Sequence, residues 1–210
     1  MPFASRLLVL AAIAIASAIA GAPVAGAPAG WPETAVRLVA ADAAAFAPPD
    51  LKRQLVKHRD RLMGGVRQGR EAALSLSPQA ARAEAVRRAR AIAKGIPSRL
   101  PFWDVAEEAG AIAAFAAAAY PPPPPATAAP QAPLALATKG TSFLGFGPSS
   151  VTDPEKIAGL PLPAGTSREA FDSAITLSTR LLAWAWKSAG GDASISTLYP
   201  EAKGPYRVRD

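Results

Sequence analysis

Apolar residues recur at helical spacing along most of this chain, and Pro and Gly break the pattern at intervals that suit separate helices. After Trp31-Pro32 a run of Ala, Val and Leu continues through Ala45. That run predicts a first helix with Pro in its first turn, ended by Pro48-Pro49. Asp50 is placed to cap a second helix, in which Leu51, Leu55, His58 and Leu62 form one narrow stripe and Gly64-Gly65 is expected to close the element. Ser77-Pro78 opens a third helix running to Gly95, with a small-residue face of Ala85, Val86, Ala89 and Ala93. Arg87, Arg88, Arg90 and Lys94 lie mostly across from that face. A fourth helix begins near Pro101, carries Val105, Ala109, Ile112, Ala116 and Ala119 on one face, and stops at the proline run 121–125.

From 121 to 165 the helical period is lost and Pro, Ala, Gly and Thr dominate, which predicts a polyproline-like spacer followed by an irregular loop. Phe143, Leu144 and Phe146 are expected to tack part of it onto the domain. The last helix has the clearest start, because Thr166 and Glu169 stand three apart as a capping box. Phe171, Ile175, Leu182 and Ala185 share one face, and Leu181, Trp184 and Trp186 widen it. Gly190-Gly191 ends the helix, leaving 192–210 as a loose tail. No useful period-2 segment and no internal repeat is present. The expected fold class is all-α: a multi-helix single domain over 30–210 with a Pro-rich irregular insertion at 121–165.

Residues 1–29 are set aside as a secretory signal. Arg6 precedes an apolar run of fourteen residues, 7–20, shorter than the roughly 20 needed to cross a bilayer. Small residues favour cleavage after Ala29 or Ala20; an uncleaved anchor extended through residue 27 is the alternative. Export to the periplasm or the extracellular space is therefore expected. The chain has no Cys, which excludes disulfides, thiolate metal sites and a Cys nucleophile.

The net charge of +7 is uneven, for residues 50–99 hold thirteen Lys/Arg against four Asp/Glu, whereas 100–210 hold eight against ten. The basic stretch points to an anionic surface, either membrane or nucleic acid, with Arg53, Lys57, Arg61, Arg87, Arg88, Arg90 and Lys94 as the candidate anion-binding residues. Plain solvation of outer helix faces is the competing explanation. Aromatic residues are absent from 47 to 101, which argues against stacking single-stranded bases.

Other candidates for chemistry have structural alternatives. His58 is the only His, so no multi-His metal site can form, and its place on an apolar stripe suits a partly buried structural residue better than a triad base. Asp104, Glu107 and Glu108 could be paired carboxylates, but their position near a helix start is accounted for by the helix dipole. In "KGTSFLGFG" the order of Lys139 and the glycines does not match a phosphate-binding loop, so a flexible loop is expected.

"WPETAVRLVAADA" followed by "PPDLKRQL" resembles the start of the secreted zinc-dependent phospholipase C and single-strand-specific nuclease superfamily. "EEAGAIAAFAAAAYPP" is similar to that family's ligand-bearing helix, and "FDSAITLSTRLLAWAW" is compatible with its closing helix. The resemblance implies an all-α phosphodiester hydrolase scaffold and a zinc site. Trp31 matches the family's N-terminal Trp. Val36 falls on the first His, Ala114 and Ala118 on a later His and Asp, and Pro124 near the final His. None of these four side chains can ligate zinc. The implied protein has no catalytic residues, metal or cofactor and acts by binding an envelope or extracellular partner. The alternatives are a zinc phosphodiesterase with an unrecognised site and an anionic membrane or nucleic-acid binder.

Overall fold

The computed structural model describes residues 30–122, 141–142, 153–191 and 205–206. Among them the fold is all-α: α1 (Glu33–Ala45), α2 (Pro49–Lys57), α3 (Arg59–Ala73), α4 (Pro78–Gly95), α5 (Phe102–Ala118), α6 (Pro154–Gly159) and α7 (Ser167–Ser188). The only strand pairing among the described residues is a two-residue antiparallel contact, with Thr141 opposite Tyr206 and Ser142 opposite Pro205. No helix among them is long and apolar enough to cross a membrane. The expected leader at 1–29, Phe143, Leu144, Phe146, Lys139 and Pro124 lie outside the described residues.

Helix α5 is the axis of the bundle. Its residues from Ala109 through Ala117 are all buried, so the expected single apolar face is in fact an almost complete apolar cylinder enclosed by α1, α3, α4 and α7. Ala and Gly make this enclosure feasible, because small side chains let neighbouring backbones approach. The closest approach is between α3 and α5. A Cβ on Gly65 would lie 1.9 Å from the carbonyl oxygen of Glu107, and one on Gly110 would lie 2.0 Å from that of Leu62.

These contacts correct the expected end of the second helix. Gly64-Gly65 does not stop the chain; α3 runs through it to Ala73. Gly65 and Gly69 are buried on the face that meets α5, where helix packing outweighs the intrinsic cost of glycine. The break comes earlier, at His58, whose φ of −109° and ψ of 36° separate α2 from α3. Pro48, not Asp50, is the residue before α2, and Asp50 sits in its first turn, paired with Arg53.

The expected irregular stretch 121–165 also contains a helix. Asp153 accepts a hydrogen bond from the Glu155 amide at 3.0 Å, and Pro154 opens α6. At the other boundaries sequence and structure agree. Ser77 Oγ accepts from Ala80 N at 3.2 Å to start α4. The Thr166–Glu169 capping box starts α7 through reciprocal bonds of 2.9 and 3.1 Å.

Candidate functional site

Residues just before α1 are held from three sides. The Trp31 indole stacks on Phe171 of α7 with centroids 6.2 Å apart. Its Nε1 donates to the Tyr120 carbonyl at 3.1 Å. Arg70 of α3 reaches across and donates from Nε to the Trp31 carbonyl at 2.7 Å. Trp31 is only 4% exposed, so this anchoring joins the chain entry to the core rather than to the surface.

Beside it lies a cavity of about 230 Å³ lined by Trp31, Val36, Ala114, Ala118 and Tyr120, with Arg70 as the one charged wall residue among the described residues. Leu74, Pro121 and Pro122 contribute further apolar wall. Four of the five positions compared with the zinc hydrolases, Trp31, Val36, Ala114 and Ala118, are thus brought together in space, and the fifth, Pro124, lies outside the described residues. The donor set there does not fit a metal. Three of the four present only methyl groups, and zinc requires imidazole, carboxylate or thiolate. Among the described residues no group of three His, Cys, Asp or Glu side chains converges anywhere.

The basic residues singled out in the sequence have local carboxylate partners or helix-end roles. Arg53 pairs with Asp50, Arg61 with Glu107 at 3.6 Å, and Arg90 with Glu155 at 2.5 Å. Arg87 meets Glu84 at 2.6 Å, while Arg88 bridges Glu84 and Glu108, each at 3.1 Å. The Arg87 hydrogen bond above all, joined by Arg88, holds the Glu84 carboxyl below its usual range. Lys57 and Lys94 occupy the last turns of α2 and α4, where a cation offsets the negative helix end. Glu107 and Glu108 therefore link α5 to α3 and α4 by ion pairs, beyond any interaction with the helix dipole. His58 sits at the α2–α3 break with its ring edge-on to Trp103, centroids 6.4 Å apart.

Sequence reasoning missed the groups that matter most in the interior. Asp42 of α1 and Asp172 of α7 are buried carboxylates, 7% and 3% exposed. Burial, and then the nearby Asp172 charge, pushes the Asp42 carboxyl from 3.8 up to about 7. Its Oδ2 has no hydrogen-bond partner among the described residues. Tyr120 lies under the Arg82 guanidinium, 5.2 Å from ring centroid to Cζ, and burial raises its phenol. A signal for Arg70 existed in the sequence, since it flanks the stripe Leu62, Val66, Gly69 and Ala73 that α3 buries. Comparison with family models, curated proteins and solved structures found no match.

Proposed function

We propose that this chain is an exported, non-catalytic helical binding domain on a scaffold like that of the secreted zinc-dependent phospholipases C and single-strand-specific nucleases. In this reading the cavity under Trp31 recognises an apolar group of an envelope or extracellular partner. One observation carries the proposal: Trp31, Val36, Ala114 and Ala118 line one cavity, and methyl groups occupy it where the resemblance calls for ligands. Such walls suit desolvation of an apolar group and offer, among the described residues, no ligand for a metal that would polarise a phosphodiester. The apolar run at 7–20 supports export.

The anionic-surface alternative draws less support, because five of its seven basic residues are paired with carboxylates. Each of these pairs sets a carboxylate beside the guanidinium, which lowers the positive potential that residue presents to an anion. The test is a ¹H–¹⁵N spectrum of the chain titrated with hexanol, a neutral apolar probe. Saturable shifts of the Trp31 indole N–H, lost in Ala118→Phe, are expected. An unmoved Trp31 indole at saturating hexanol would contradict the reading.

A further inference from the structure

We propose that the cavity beneath Trp31 takes a small apolar monocarboxylic acid, its carboxylate on Arg70 and its tail against Val36, Ala114 and Ala118. The inference rests on the reading of this cavity as a binding site and adds the ligand class. Among the described residues of the wall Arg70 is the only charged one, and its Nε is committed to the Trp31 carbonyl at 2.7 Å. A guanidinium has five N–H donors in a rigid plane. The Trp31 bond fixes that plane and leaves the two terminal nitrogens for a second partner.

Among the described residues no carboxylate forms an ion pair with Arg70, unlike Arg37, Arg53, Arg61, Arg87, Arg88, Arg90 and Arg168. An oriented, partly buried guanidinium with its terminal edge available matches the two oxygens of a carboxylate end-on. The wall supplies one full positive charge. A dianion would carry a second negative charge into Ala, Val, Leu and Pro surroundings without a partner, which is costly. The volume of about 230 Å³ exceeds the roughly 150 Å³ of an apolar cavity that holds benzene. It therefore has room for a short alkyl chain or a single ring.

The test is isothermal titration of the full chain at pH 8 with hexanoate and with hexanol, which differ at the head group alone. Hexanoate is expected to bind about tenfold more tightly than hexanol, the effect of one charge-assisted contact. Arg70→Gln should erase that preference while hexanol still binds, and Ala118→Phe should abolish binding of both. Equal affinity for the two ligands, or hexanoate binding unchanged in Arg70→Gln, would overturn the assignment yet leave the cavity a binding site. Tighter binding of hexyl phosphate than of hexanoate would overturn the single-charge argument. Failure of both hexanol and hexanoate to bind would overturn the inference and the underlying reading together. Should Arg70→Gln not fold, Arg70→Lys keeps the charge without the fork; hexanoate must weaken there, and unchanged affinity counts against the proposal.

Discussion

Asp42 shows how far a single side chain can depart from what its neighbours in sequence suggest. In "VAADAAA" it reads as the polar edge of a small-residue helix, but tertiary packing encloses it between α1 and α7. A folded-state value of about 7 against 3.8 means that the fold binds this proton more tightly than the unfolded chain does. The resulting stabilisation is fully present below about pH 4, declines as pH rises toward 7, and is gone above it. Asp42→Asn removes the titration. Between pH 5 and pH 8 wild type should lose on the order of 2 kcal/mol more stability than the variant, as read by urea melts at the two values. An equal pH dependence would show that the Asp42 carboxyl titrates normally. The polar run "DSAITLST" has a related explanation. Thr176, Ser178 and Thr179 are buried because each hydroxyl donates to the carbonyl one turn earlier, at 2.7–2.8 Å, which satisfies all three hydroxyls.

Helix starts were legible because their signals are local. Ser77-Pro78 and Thr166–Glu169 require only neighbours within four residues, and both caps form as expected. Thr166→Ala should cost about 1 kcal/mol by loss of the cap bond, measurable as a lower denaturation midpoint. Asp153-Pro154 carries the same signal at the head of α6 and was obscured by the Pro-rich composition around it. Gly64-Gly65 could not be resolved by local reasoning, since a glycine that ends a helix and one that admits another backbone look alike in sequence. Their surroundings differ sharply. A Cβ on Gly64 meets nothing within 4 Å, whereas one on Gly65 collides with the Glu107 backbone. Gly64→Ala should therefore stabilise α3 by about 0.5–1 kcal/mol. Gly65→Ala should destabilise the protein by about 3 kcal/mol or more, because two backbones must separate. Thermal melts of the two variants should shift in opposite directions, and shifts of the same sign would refute the direct α3–α5 contact.

For the molecule as a whole, the all-α class followed from periodicity, but the arrangement of helices around α5 did not. Ala-rich surfaces have little pattern to say which side is covered, and only packing reveals that α5 is covered on nearly every side. The charge asymmetry was misleading at this scale for a similar reason. Glu107, Glu108 and Glu155 lie far along the chain from the arginines they neutralise, so a sum over residues 50–99 overstates the free positive charge. The relation between Trp31, Val36, Ala114 and Ala118 could be posed from sequence only through resemblance, and their shared cavity is a property of the folded chain. The most direct test of the central claim is elemental analysis of the purified protein after equilibration with excess zinc and desalting. No stoichiometric zinc is expected, because the described residues of the cavity wall include no His, Cys, Asp or Glu. One or more zinc ions retained per chain, removable by chelator, would contradict it.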